Sequence, residues 1–354
     1  MTTVTQPVVE VTGGVDTHKD THTAAAVDSV GRLLGSAQFG ATAVGYRQLL
    51  AWLASFGTVV LVGVEGTGAY GAGLARYLRT QAVAVVEIDR PDRQARRRAG
   101  KSDPVDAEAA ARTALAGRRT GVPKTRNGPV EALRVLQVAR RSAVDQRADI
   151  QRQIKALVIT ADEQLRTELR VLTDTKLINT CAALRPDPAR IQTPAMALKA
   201  ALRTLARRHQ ALTCEITDLD ELINPLVTQT APNLLALHGV GPQVAAQLLI
   251  TAGDNPERLH SEAAFAMLCG AAPILASSGK THRHRLNRSG DRQANAALYR
   301  IVISRLRWHQ PTRDYTARRT TEGLTKKEII RCLKRYVARE IHHALTTNNT
   351  TGHP

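Results

Sequence analysis

The chain has 354 residues and a formal charge of +18, from 49 Lys plus Arg against 31 Asp plus Glu. That length suits two or three domains of about 100–150 residues. The 43% apolar content excludes a wholly disordered chain, and 3% aromatics argue against a stacking platform for single-stranded nucleic acid. No apolar run approaches the roughly 20 residues of a membrane span. Residues 1–11 lack a basic n-region and an apolar h-region, so no signal peptide is expected. Cys181, Cys214, Cys269 and Cys332 form no CxxC pair, which fits a reducing cytoplasm and gives no zinc or disulfide framework.

Residues 11–89 read as α/β. Gly13 to Val27 has alternating, β-branched character and ends in a turn at Asp28 to Gly31. Arg32 to Gly40 reads as a return strand, and Ala43 to Ser55 as a helix with Leu49, Leu50 and Leu53 on one face. Thr58 to Val64 is a continuous apolar run, the mark of a strand buried on both faces. A helix over Gly71 to Thr80 and another buried strand over Ala82 to Ile88 complete a mixed sheet with helical cover. Pro104 to Leu115 is a further helix, with Ser102 or Asp103 at its N-cap.

Val130 to Leu172 reads as one long polar helix or a pair, with a thin apolar seam broken by Arg140 and Arg147. Leu202, Leu205, His209, Leu212, Ile216, Leu219, Ile223 and Leu226 follow a cleaner 3-4 spacing. This coiled-coil seam predicts an antiparallel hairpin, a dimer contact, or both, with His209 as a polar position that fixes register. After Pro232, two short helices joined by Gly239-Val240-Gly241 resemble a helix-hairpin-helix, which offers backbone N–H groups to a phosphate. An ordinary helix–turn–helix corner is the competing reading. The expected domains are 9–120, 128–228 and 229–345, followed by a disordered tail at 346–354.

Charge is concentrated. Residues 1–89 hold five basic and seven acidic side chains, whereas residues 280–339 hold seventeen and four. A dense cationic stretch selects a polyphosphate through counterion release. A lipid surface would call for an aromatic anchor opposite the charges, and only Trp308 offers one.

Acidic residues stand out at three places. Asp16 follows G-G-V on the first strand, in G-V-D-T-H-K-D, Glu65 ends the apolar run before Gly66-Thr67-Gly68, and Asp103 and Asp106 open a helix in K-S-D-P-V-D-A-E. The i,i+3 spacing puts the last two on one helical face. Buried carboxylates that converge repel one another, and a divalent cation removes that repulsion. Mg²⁺ takes a few carboxylates plus water and phosphate, and two such ions can polarise both oxygens of a phosphodiester displacement. Taken singly, each acid has a plain structural reading as a turn, ion-pair or cap residue. His18 and His22 lack a third ligand at metal spacing, so no zinc site is expected.

These three motifs, in this order, resemble the DEDD transposases of bacterial insertion sequences, the "one-hundred-and-ten" group of bridge-RNA-guided recombinases. The resemblance implies a RuvC-like, ribonuclease-H-type N-terminal domain in which Asp16, Glu65, Asp103 and Asp106 bind Mg²⁺ (or Mn²⁺). Gly270–Lys280 resembles the family's G-x-x-P-x-x-x-x-S-G segment, which makes Ser278 the nucleophile, with Ser277 one residue out of register. Asp291 and Asn295 depart from the family's later glycine motif. Gly239, Gly241, Lys280, Arg283, Arg285, Arg288 and Arg292 are the expected nucleic-acid contacts. The implied partners are double-stranded DNA, a structured guide RNA and further copies of the chain, as a dimer or tetramer in which one protomer's serine completes another's acidic site.

Two rival readings follow from the residues themselves. One is a RuvC-type metal nuclease that uses water; the other is a non-catalytic basic nucleic-acid-binding protein whose acids are structural. The lack of a G-x-S-x-G elbow and a charge suited to polyphosphate argue against a serine hydrolase of small esters.

Overall fold

The computed structural model describes residues 9–88, 102–117, 120–277, 279 and 284–347. It divides into two compact units, 1–125 and 126–354.

The first unit is a six-stranded sheet: β1 (Glu10–Thr17), β2 (Thr21–Val27), β3 (Leu33–Gly40), β4 (Thr58–Glu65), β5 (Val85–Ile88) and β6 (Thr120–Gly121). The spatial order is β3-β2-β1-β4-β5-β6. β1, β2 and β3 form an antiparallel meander, while β4 runs parallel to β1 and β5 parallel to β4. The parallel steps need crossovers, supplied by α1 (Ala43–Ala54) between β3 and β4 and α2 (Ala72–Thr80) between β4 and β5. A third helix, α3 (Asp103–Leu115), packs against β1, β2 and β4. This is the ribonuclease-H-like arrangement.

The two faces of the sheet are covered differently. Val11, Val15, Val62 and Val64 join Leu49, Leu53, Leu74 and Leu78 in one core with α1 and α2. The alternate residues of β1 and β4 face α3. There the helix approaches so closely that a Cβ on Gly14 would lie 2.0 Å from the Ala111 amide nitrogen and 2.3 Å from the Ala107 carbonyl oxygen. A Cβ on Gly63 would lie 2.8 Å from the Ala114 Cβ. Buried Ala107, Ala110, Ala111 and Ala114 are small for the same reason.

Two strands depart from expectation. Thr58 and Val60 are exposed, so β4 is enclosed on both faces only from Val62 onward. β5 begins at Val85 rather than Ala82 and is half-buried up to Ile88, because its outer neighbour β6 covers only Glu87 and Ile88. Ala82 instead takes a left-handed turn, with φ +57°.

In the second unit, α4 (Pro129–Ile159) is followed by α5 (Glu163–Arg170) and α6 (Asp174–Ala183). Of the two readings of residues 130–172, a single helix or a pair, the pair is found: the first helix ends at Ile159, and the Asp162 side chain accepts from the Leu165 amide and caps the second. α7 (Pro194–Thr230) packs along α4. Leu202, Leu212, Ile216 and Ile223 are buried and His209 is half-buried. Arg140, which interrupts the α4 seam, ion-pairs with Asp220 of α7, Nε to Oδ1 at 2.6 Å.

The remaining helices are α8 (Pro232–Leu235), α9 (Pro242–Ala252), α10 (Glu262–Leu268), α11 (Arg292–Trp308), α12 (Gln310–Thr321) and α13 (Lys326–Thr347). Strands β7 (Ile274–Leu275) and β8 (His284–Arg285) pair antiparallel. One apolar cluster lies within the hairpin, and a second gathers α8 to α11 and α13 around Phe265, Leu298 and Ile341. α13 runs through Thr347, two residues into the expected tail, and residues 348–354 lie outside the described residues.

Gly14→Ala should destabilise the first unit by about 3 kcal/mol or more, because the clash is with helix backbone and cannot be relieved by a rotamer change. Gly121→Ala, with nothing within 4 Å of the added carbon, should stay within about 0.5 kcal/mol of the parent. Thermal melts followed by circular dichroism compare the two.

Candidate functional site

Asp16 lies one residue past Val15, which pairs with Val64 of β4; Glu65 is likewise one residue past Val64. The two carboxylates therefore lie side by side at the C-terminal ends of parallel strands. They sit two residues beyond Gly14 and Gly63, on the face covered by α3. The Thr17 hydroxyl donates to the Glu65 carbonyl oxygen at 2.9 Å and ties the two strand ends together. After Glu65 the chain turns sharply through Gly66, at φ +61°.

α3 brings Asp103 and Asp106 to this place. Ser102 is its N-cap residue, Pro104 lies in the first turn, and both acids fall in that turn. There they complement the positive end of the helix dipole. Asp106 is buried, while Asp103 is about half-exposed. Burial pushes the Asp16 carboxyl above the usual carboxylate range; His18 opposes this, and the charges of Asp106 and Asp103 add to it.

Between the acids stands His18. Its Nε2 lies 3.2 Å from Asp16 Oδ2 and 3.4 Å from Asp103 Oδ1. One donor atom each from Asp16, His18 and Asp103 falls within a sphere suited to a single metal ion. The sequence reading set His18 aside for want of a third ligand. That ligand, Asp103, is supplied by a distant helix, which local spacing cannot reveal. His22 is elsewhere: buried, stacked on Tyr46 at 5.7 Å, and held below the usual histidine range by burial.

In the second unit, Gly239 and Gly241 lie between α8 and α9. α8 is a single turn, shorter than the helix expected for a helix-hairpin-helix. Gly239 is at φ +81°, and a Cβ there would also crowd Ile301 and Ser304 of α11 at 3.3 Å, so its glycine is explained by backbone conformation and packing. Gly241 is exposed, with open space where a Cβ would stand. Arg285, Arg288 and Arg292 are all exposed. Ser278, Lys280 and Arg283 lie outside the described residues; Ser277 is exposed.

The two family-motif departures have structural roles. Asp291 caps α11 by accepting from the Gln293 and Ala294 amides, and it accepts from the Thr251 hydroxyl at 2.8 Å. Asn295 donates to the carbonyl oxygens of Cys269 and Gly270 and accepts from buried Lys334 at 2.9 Å.

Carboxylates from two parallel strand ends and a covering helix, on a ribonuclease-H-like sheet, define a protein of the metal-nuclease and transposase class. Comparison with known families narrows this. A DEDD transposase model of the IS110 type matches residues 13–161, and a model described as Transposase IS116/IS110/IS902 family matches residues 231–317. The chain belongs to this family of insertion-sequence transposases.

Two relatives come from Streptomyces coelicolor. The chain is 30% identical to an uncharacterised 43.6 kDa protein of insertion element IS110 over 139 residues, 39% of this chain and 33% of that protein. It is 27% identical over 350 aligned positions to a mini-circle protein to which transposition of IS117 is ascribed, covering 80% of this chain and 83% of that protein. No described helix is long and apolar enough to cross a membrane.

Asn295→Ala should cost about 2–3 kcal/mol in urea unfolding, since it removes the acceptor from a buried ammonium and the donor from two carbonyls. Asn295→Asp should recover part of that loss through its charge, and none of the carbonyl contacts.

Proposed function

We propose that this protein is an insertion-sequence transposase that cuts and rejoins double-stranded DNA through a phosphoserine at Ser278. Asp16, Glu65, Asp103 and Asp106 would hold Mg²⁺ (or Mn²⁺), and a structured RNA would guide the protein to its DNA. The supporting observation is the convergence of Asp16 and the first turn of α3 around His18. A structural ion pair would not require two carboxylates from separate elements on one half-exposed histidine, with Asp106 close enough to act on Asp16.

The donor set fits a hard divalent cation. Asp16 is buried, and neighbouring carboxylates disfavour its ionised form; a cation reverses that balance. When bound, the ion supplies charge stabilisation at the oxygens of a phosphodiester. Asp16 and Asp103 fix its place, Glu65 and Asp106 flank them, and His18 holds the Asp16 and Asp103 oxygens in register.

In the proposed reaction the Ser278 Oγ forms a bond to phosphorus as the phosphorus–deoxyribose oxygen bond breaks. The serine gives up its proton, and the departing sugar oxygen gains one to become a free hydroxyl. One phosphodiester replaces another, so the reverse step can join a different strand without ATP. Arg285, Arg288 and Arg292, together with Lys280 and Arg283, offset the negative charge of DNA and transition state. The exposed backbone at Gly241 leaves room for a phosphate, whereas Gly239 serves packing. Delegating sequence readout to guide-RNA pairing suits a chain with so few aromatics, because the protein then reads backbone and duplex shape. The serine and the acids would belong to different protomers of a dimer or tetramer.

Two measurements test this reading. With the DNA and its guide RNA, denaturing gels should show a covalent protein–DNA adduct that is lost in Ser278→Ala, and Asp16→Ala should lose both adduct and cleavage. Cleavage without adduct would favour the water-using nuclease. Separately, Mg²⁺ at about 10 mM should raise the melting temperature of a Trp308→Phe background, followed by Trp52 fluorescence, by about 2–5 °C. Asp16→Asn should abolish that shift.

A further inference from the structure

The second unit contains a groove of about 970 Å³ between β7–β8, α12 and α13. α12 contributes Arg318 and Arg319 to it, and α13 contributes Arg331, Lys334, Arg335 and Arg339. With Arg285 these make seven cations against one lining carboxylate, Glu328. Glu262 pairs with Arg335 and Arg339 from outside the lining, and Glu322 with Arg318 and Arg319. Even with both counted, four positive charges remain in excess. The buried Nη1 of Arg335 and Nε of Arg319 find no hydrogen-bond acceptor among the described residues.

The arrangement is a stripe. Arg331, Arg335 and Arg339 repeat every fourth residue on α13, about 6 Å apart along the helix. Such a row suits a chain of phosphates better than a single anion.

The groove also holds Tyr315 and Tyr336, in a chain with only six tyrosines. Their rings meet edge to face at 5.5 Å, the Arg318 guanidinium lies 5.5 Å from the Tyr315 centroid, and Tyr336 remains 48% exposed. An exposed aromatic beside a row of arginines is the combination that takes unpaired nucleotides: bases stack on the ring and phosphates meet the guanidinium groups. A duplex keeps its bases stacked within itself and has no use for the tyrosine.

We infer that this groove binds a single-stranded stretch of nucleic acid, with Tyr336 as the stacking residue and Arg331, Arg335 and Arg339 along the backbone. The inference builds on the nucleic-acid reading of the second unit and is independent of the acids and of Ser278.

Fluorescence anisotropy on the full chain in EDTA tests it, using labelled strands of about 12 nucleotides in DNA and in RNA, and a duplex of the same length. Tyr336→Ala should weaken binding of at least one single strand by roughly five- to hundredfold and leave the duplex unchanged. The strand that loses more identifies which nucleic acid the groove holds. Tyr336→Phe should bind like the parent, which separates stacking from misfolding. Arg331→Ala should flatten the salt dependence of single-strand binding by about 0.7 in log–log slope. Unchanged single-strand affinity in Tyr336→Ala, or equal loss on duplex and single strand, would overturn the inference. Because cleavage plays no part in this assay, failure of the adduct experiment would leave its result intact. Normal adducts alongside a silent Tyr336→Ala would reject the groove alone.

Discussion

The first unit depends on the near-contact of α3 with the sheet at Gly14 and Gly63. The glycines sit two residues upstream of Asp16 and Glu65 on the same face. The approach that forbids a Cβ at Gly14 also delivers the first turn of the helix to the strand ends. Three terms compete there. Burial disfavours the ionised Asp16, and the neighbouring Asp103 and Asp106 disfavour it further; the half-exposed His18 lowers the cost but is a single partner for two carboxylates. The amino end of α3 adds a fixed partial positive charge, worth a few tenths to about 1 kcal/mol near a surface. Together these leave a residual negative field at a geometrically fixed point, the condition under which a divalent ion adds most.

Much of this was legible in the sequence because each acid stands at a punctuation mark. Asp16 and Glu65 close apolar runs, and Asp103 follows a serine and precedes a proline at a helix start. Strand order follows from the meander and two short helical crossovers. What could not be read required long-range contact. His18 looked like one of two isolated histidines because its partner Asp103 arrives on another element. β4 and β5 looked fully enclosed because apolar composition reports affinity for a core, not whether a neighbour covers both faces; among the described residues Val60 is left 40% exposed. Arg140 looked like a defect in the hairpin seam, and its partner Asp220 lies on the facing helix. The low aromatic content spoke against any stacking surface, yet composition cannot show that Tyr315 and Tyr336 stand in one basic groove.

The second unit is held by polar contacts as well as by its apolar clusters. Asp220 accepts from Arg140 and from Gln243, and Gln243 accepts from Gln137, which links the hairpin to α9. Asp291 joins α11 to α9 through Thr251, and Asn295 joins α11 to α13 through Lys334. These links bracket the β7–β8 hairpin: Asn295 grips the backbone at Cys269 and Gly270 just before it, and the Asp291 amide donates to the Leu268 carbonyl at 2.7 Å just after it. The described backbone on either side of β7 and β8 is thus anchored by hydrogen bonds to buried groups.

The uneven charge has a consequence for how the two units would share one substrate. Residues 1–89 carry more acids than bases, and a phosphodiester near Asp16 adds negative charge to a place already disfavouring it. On the proposed reading, binding energy for nucleic acid would originate elsewhere, and the seventeen basic residues between 280 and 339 would be a source of it. On the proposed reading, acids that polarise the scissile linkage gain from being surrounded by few cations, since nearby arginines would compete with the metal for the same carboxylates. The densest cationic stretch, residues 280–339, is well separated in sequence from Asp16 and Glu65, whose stretch 1–89 holds more acids than bases. On the proposed reading, association would be steeply salt-dependent and metal occupancy much less so, because the first rests on the basic stretch and the second on the acids.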